Sequence, residues 1–206
     1  PDAETQRMLF ETGELDVFNF SYAQSQLAYF ANSQYADQIV KGPEAGLYFY
    51  SFNMALPPMD NPKVRQALQM AIDRQAILDA MFNGNGVVVD SFIPAGMLGH
   101  NDSPTPISYD PEAAKALLSE AGYPNALDLE IFQPSSSETN LTMNTIVQSM
   151  LAQIGVNVTI TQMDDAAYLA LRKEGNLGMN RAGWWADYND PDNFLYTFFA
   201  NANTST

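Results

Sequence analysis

Leu127-Asp-Leu-Glu-Ile131, then Ser137-Glu-Thr-Asn-Leu141 on to Leu151-Ala-Gln-Ile154, then Gly155-Val-Asn-Val-Thr-Ile160 is the run that decides the architecture. Leu127, Leu129 and Ile131 alternate with polar residues, the period of a half-buried strand. Ser137 to Ile154 reads as an amphipathic helix with Leu141, Ile146, Met150, Leu151 and Ile154 turned inward, and Gly155 ends it. Val156, Val158 and Ile160 alternate again. A strand, a helix and a strand in this order predict a right-handed βαβ crossover with parallel strands. The expected class is α/β.

Working outward from that unit, helix signals recur. Asn61-Pro62 and Asp110-Pro111 each pair an N-cap residue with proline at the first helical position. Val64, Leu68, Ala71 and Ile72 follow the first at helical spacing. Asp73 recaps a segment to Met81, closed by Gly84 and Gly86. Ala114, Leu117, Leu118 and Ala121 follow the second, which Gly122 and Pro124 end. Asp164 or Asp165 caps a helix to about Lys173. Asp2 to Phe10 and Ser21 to Phe30 are predicted helical, and Leu15 to Phe20 is a short strand candidate. Leu47 to Asn53 is aromatic on both faces, as in a strand covered on two sides. Leu177 to Trp185 is the last strand.

The chain has 206 residues, 46% of them hydrophobic, enough for a sizeable core. Nine Lys and Arg stand against 24 Asp and Glu, a formal net charge of -15. Such a surface repels phosphate backbones and anionic headgroups, which argues against nucleic-acid or membrane-surface binding. There is no cysteine, so thiolate metal sites, Cys nucleophiles and disulfides are excluded. The single histidine, His100, lies in a Gly/Pro/Asn/Asp-rich stretch and reads as an exposed loop residue. No segment reaches the roughly 18 apolar residues of a membrane span. Neither a starting Met nor a signal peptide is visible, and both ends read as internal to something longer.

The last strand delivers the densest chemistry at its carboxyl end, where ligands bind in open α/β sheets. Arg181-Ala-Gly-Trp-Trp-Ala-Asp187-Tyr-Asn-Asp-Pro191-Asp-Asn-Phe-Leu195 crowds a cation, two indoles and three carboxylates together. Charges beside large aromatic faces are costly to bury unless something pairs with them. A ligand carrying charge and apolar groups is one such partner; a strand end followed by a capped helix is the plainer reading. An EF-hand does not fit, because the third ligand position falls on Pro191 and no glycine follows. The acids could pair as in a glycosidase, but nothing else in the chain supports that chemistry.

Four stretches in order carry a family resemblance. They are Tyr50-Ser-Phe-Asn53 with Pro57-Pro-Met-Asp-Asn-Pro-Lys-Val-Arg65-Gln-Ala-Leu68 and Ala71-Ile-Asp-Arg74; Asp110-Pro-Glu-Ala-Ala-Lys115 with Leu117-Leu-Ser-Glu-Ala-Gly-Tyr-Pro124; Gln153-Ile-Gly-Val-Asn-Val158; and Trp184-Trp-Ala-Asp-Tyr-Asn-Asp-Pro191. Together they resemble the extracellular solute-binding proteins of oligopeptide and dipeptide ABC importers, family 5 type, over nearly the whole chain. The resemblance implies a periplasmic-binding-protein-like (type II) lobe with a mixed sheet flanked by helices. Residues 1–206 would form a single lobe, most of the second lobe of a longer, two-lobed, monomeric protein. That protein would be periplasmic or extracellular, a membrane-anchored lipoprotein being one form. Its partners would be short peptides and the importer's membrane subunits. It would be neither an enzyme nor a user of cofactors. This lobe alone is not expected to support transport.

The same resemblance assigns roles. Asp187 matches the carboxylate that salt-bridges a peptide's α-ammonium, a group that every unblocked peptide carries. Arg181 matches a position that reaches the peptide's terminal carboxylate in some members. Otherwise Asp187 caps a local turn with Asn189, and Arg181 pairs with a nearby acid. Trp184 and Trp185 alternate across the strand, so they cannot both face a cleft. The family pattern puts Trp184 in the site and Trp185 in the core. Tyr188 is a further ligand candidate. Asn189, Asp190 and Asp192 read as caps of a helix through Pro191. Thr139 stands where one oligopeptide binder has a histidine for longer peptides. Within the superfamily, an oligosaccharide binder stacking sugars on Trp184, Trp185 and Tyr188 is the alternative. Uptake of haem or a nickel complex is a third reading.

Overall fold

The computed structural model describes residues 2–20, 23–42, 44–101 and 107–200. Contacts divide the chain into two compact units, Pro1–Pro43 and Glu44–Thr206. The elements in order are α1 (Ala3–Glu11), α2 (Leu27–Ala31), β1 (Gly46–Phe52), α3 (Pro62–Met70), α4 (Arg74–Phe82), α5 (Pro111–Glu120), β2 (Leu127–Pro134), α6 (Glu138–Ala152), β3 (Val156–Met163), α7 (Asp165–Lys173), β4 (Met179–Trp185) and α8 (Asp192–Phe199).

The first unit is built on aromatic rings. Asp2 caps α1, its Oδ1 accepting from the backbone N–H of Glu4 and Thr5 at 3.1 and 2.9 Å. Phe30, on α2 and only 2% exposed, sits among Phe10, Phe18, Phe20 and Tyr35, with centroids 4.7–5.9 Å away. That cluster corrects the strand expected at Leu15–Phe20. The segment is irregular, with Phe18 and Phe20 turned onto Phe30 instead of into a ladder. The helix expected over Ser21–Phe30 shrinks to a 3-10 turn, Gln24–Gln26, followed by α2, and its first two residues lie outside the described ones.

The second unit carries a four-stranded mixed sheet in the order β1-β4-β2-β3. β2 pairs with β3 in parallel, from Leu127↔Val156 to Pro134↔Met163, with α6 as the crossover between them. β4 joins β2 in parallel at Ile131↔Met179, and β1 pairs antiparallel with β4. Five of the helix starts resolve as read, with Asp164 and not Asp165 as the cap of α7, whereas α8 begins at Asp192 with Pro191 itself at the N-cap and not at the first helical position. Asn61, Asp73, Asp110, Ser137 and Asp164 each accept a backbone N–H at the start of their helix. The inward stripe of α6 differs from the predicted one. Met143, Asn144, Val147 and Leu151 are buried, and Leu141, Ile146 and Met150 lie at the border.

Two apolar clusters hold this unit together. The larger fills one face of the sheet with Ile131, Val156 and Met179 against Val64, Leu68, Leu118, Val147 and Leu151. Each fully buried side chain of this size contributes roughly 1.5–3 kcal/mol. The smaller joins Leu47, Met97 and Phe194 to Phe49, Phe92, Ile93, Trp184 and Ala186. Odd residues of β4 therefore point to the α6 side and even ones to the α8 side, and this divides the candidate site.

Candidate functional site

β4 carries three of the four residues singled out above to its carboxyl end or just past it. Just past its end, Ala186 N donates to O of Ala45, the residue ahead of β1, at 2.8 Å, and this fixes the chain where it leaves the sheet. Asp187 and Tyr188 follow in an exposed turn, Tyr188 being 53% exposed. The turn is pinned from below by α8. Pro191 already has helical dihedrals, φ -60° and ψ -22°, and the Asp190 carboxylate accepts the N–H of Asp192 at 3.0 Å.

Asn193, in the first turn of α8 and only 4% exposed, ties Trp184 to Asp187. Its Oδ1 accepts the indole N–H of Trp184 at 2.9 Å and the backbone N–H of Asp187 at 3.2 Å. Its Nδ2 donates to Asp187 Oδ2 at 3.5 Å, a long contact that leaves most of the carboxylate's acceptor capacity open. The local partner of Asp187 is thus Asn193, not the Asn189 of the alternative, turn-capping reading. No ion pair to Asp187 forms among the described residues. The Trp184 ring meets Phe198 edge-on, centroids 5.4 Å apart, inside the smaller apolar cluster.

Arg181 lies on the other face of β4. Its Nε donates to Met143 Sδ at 3.2 Å and its Nη1 to Asn140 Oδ1, both on α6. Its guanidinium carbon stands 4.4 Å from the centroid of Tyr48. The internal ion pair weighed for it does not form among the described residues. Beside it, the Tyr50 hydroxyl donates to Asn144 Oδ1 at 2.6 Å, and Asn144 Nδ2 donates to Gln133 Oε1 at 2.7 Å. Burial pushes the Tyr50 phenol well above its ordinary value of 10.0, with the Arg181 charge opposing. The chain of bonds ends at Gln133 Nε2, which is buried without a partner among the described residues.

The structure thus joins Trp184 and Asp187 through one amide and sets Arg181 apart on the α6 side. Trp185, expected in the core, is 42% exposed. The reason is register. Trp185 stands opposite Gly46, at the last pair of the sheet and beyond the reach of the main cluster. Sequence reasoning missed Asn193, Asn140 and Tyr48. Only the pairing of β1 with β4 places Tyr48 near Arg181, and no local signal carries that. Asn193 did have one, an amide in the first turn of a helix that follows the motif.

The sequence matches, over residues 1–206, the family of bacterial extracellular solute-binding proteins, family 5 Middle. Heme-binding protein A of Haemophilus influenzae is 33% identical over 98% of this chain and 38% of its own length. The dipeptide-binding protein of Escherichia coli is 34% identical over 80% of this chain and 31% of its own. Among solved structures, HbpA2 from Haemophilus parasuis superimposes with a TM-score of 0.85 at 33% identity, covering 98% of this chain and 40% of that one. The periplasmic binding protein DppA from Helicobacter pylori, solved with the peptide STSA, gives a TM-score of 0.78 at 31% identity, covering 96% of this chain and 38% of that one. This chain therefore spans about two fifths or less of the length of these relatives. The mixed sheet flanked by helices is that of type II periplasmic binding proteins. In sequence and in fold, the chain belongs to the family 5 bacterial extracellular solute-binding proteins, which bind solutes for ABC transporters and are not enzymes.

Proposed function

We propose that the protein containing this chain captures short peptides outside the cytoplasm and presents them to an ABC importer. Residues 1–206 serve as one ligand-binding lobe, and a monomer closes that lobe and another over the peptide. Asp187 holds the α-ammonium, whose three donors match the open lone pairs of a carboxylate. Arg181 receives the terminal carboxylate, and Trp184 and Tyr188 give apolar surface to side chains. Closure is a hinge motion in which the ligand stabilises the closed state through contacts that the open state lacks.

The observation that carries this reading is the Asp187 carboxylate. It is exposed at the carboxyl end of β4, held through Asn193, and paired with no cation among the described residues. The peptide-bound DppA and the dipeptide-binding protein support it as relatives. A neutral oligosaccharide offers no cation for that carboxylate to pair with.

The test is calorimetry on the full-length protein with free-amine and N-acetylated peptides. A hydrogen bond to a charged group contributes about 1.5–3 kcal/mol, so acetylation or Asp187→Ala should weaken binding by roughly 10- to 150-fold. Equal affinity for both peptides, or for native protein and variant, would remove Asp187 from the mechanism. Haem is a second reading, favoured by the likeness to Heme-binding protein A and HbpA2. It predicts a stoichiometric Soret shift on titration with haem, with free-amine peptides unable to compete.

A further inference from the structure

On the α6 face of the β1–β4 pair, beyond Arg181, two aromatic residues pack directly on the sheet. The antiparallel register sets Gly183 opposite Tyr48 and Gly46 opposite Trp185. Each ring occupies the space that a side chain on the facing glycine would need. A Cβ on Gly183 would come within 2.9 Å of Tyr48 Cδ1, and one on Gly46 within 2.5 Å of Trp185 Nε1. The two rings meet edge to face at 5.0 Å, and Tyr48 also stacks on Phe82 of α4 at 5.5 Å and 23°.

These rings are fixed, yet they are not covered: Tyr48 is 44% and Trp185 42% exposed. Packing on glycine accounts for where they lie. It does not account for the guanidinium set over Tyr48 with no carboxylate paired to it among the described residues. A rigid aromatic surface beside an unpaired cation is complementary to a flat apolar group next to a carboxylate. Ordering the rings in advance also removes an entropic cost from binding.

We infer that Trp185 and Tyr48, with Arg181 at their edge, form a subsite for an aromatic residue at the carboxyl end of a bound peptide. Arg181 takes the carboxylate in a bidentate pair, and the side chain one residue's width away lies against Trp185. This inference rests on the peptide-capture reading. It adds a preference that neither Asp187 nor Trp184 supplies, since they lie past the end of β4 or on its opposite face.

The test compares alanine peptides of two to five residues ending in Phe or in Ala, titrated into the full-length protein. The native protein should bind the Phe-ended member of the best-bound length about tenfold tighter. Trp185→Ala should bring that ratio close to one, and Trp185→Phe, which keeps a ring, should retain most of it. Thermal melts of both variants identify any loss of fold, and the native ratio stands as a test by itself. A native ratio near one, with affinity still lost on N-acetylation, overturns the subsite and leaves peptide capture standing. A ratio that Trp185→Ala leaves intact also overturns the subsite. Failure of every free-amine peptide to bind overturns both.

Discussion

Asn193 shows what one buried amide can do. Its oxygen serves an indole N–H and a backbone N–H, and its nitrogen reaches the carboxylate proposed to bind ligand. Removing it leaves the Trp184 N–H without its acceptor in a half-buried setting, at about 1–3 kcal/mol. Asn193→Ala should therefore lower the melting temperature. It should also weaken free-amine peptides more than N-acetylated ones, because the Asp187 turn loses its anchor. A purely structural role would lower the melting temperature and leave that ratio unchanged. The motif made Asp187, Trp184, Arg181 and Tyr188 stand out in the sequence, since their chemistry is local to each residue. The hub left only a faint local signal, and the separation of Arg181 from Trp184 was not visible there. Which face of a strand meets which helix is set by contacts far away in the chain.

At the scale of elements, capping is the most local interaction and was the best read. Asp164 Oδ1 accepts from Ala166 and Ala167 N–H at 3.1 and 3.0 Å, so of the two caps the sequence offered, Asp164 and Asp165, it is the first that starts α7. Asp164→Ala should cost about 1 kcal/mol, within a range of roughly 0.5–2. A drop of about 2–4 °C in a thermal melt would register it. No change would mean that packing of Tyr168, not the cap, fixes this helix. The βαβ unit was legible because period-2 and period-3.6 patterns follow one another without a break. Leu15–Phe20 misled because a strand needs a neighbour, and apolar character does not distinguish a ladder partner from the Phe30 cluster. The α6 stripe shifted because Tyr50 and Gln133 offer Asn144 hydrogen bonds that justify its burial.

At the scale of the whole molecule, both apolar clusters of the sheet lie within Glu44–Thr206, and the ring cluster around Phe30 lies within Pro1–Pro43. A chain beginning at Glu44 should accordingly retain the circular dichroism and cooperative melt of the sheet unit. A molten, non-cooperative transition would show that the first unit supplies part of that stability. The net charge of -15 is a property of composition and needs no fold. By itself the sequence determined the α/β class, the positions of the capped helices, the parallel β2–β3 pair, the family and the residues bearing charge at the end of β4. Those depend on interactions a few residues apart or on alternation along one strand. The tertiary structure alone decided that β1 closes on β4 and that Trp185, not Trp184, stays exposed. It also decided that Asn193 joins Trp184 to Asp187 and that Arg181 faces Tyr48 and α6. The β1–β4 closure, the exposure of Trp185 and the meeting of Arg181 with Tyr48 rest on register between segments more than a hundred residues apart, where a shift of one position would turn every side chain to the opposite face. The Asn193 link spans only six to nine residues but needs α8 folded back onto the end of β4.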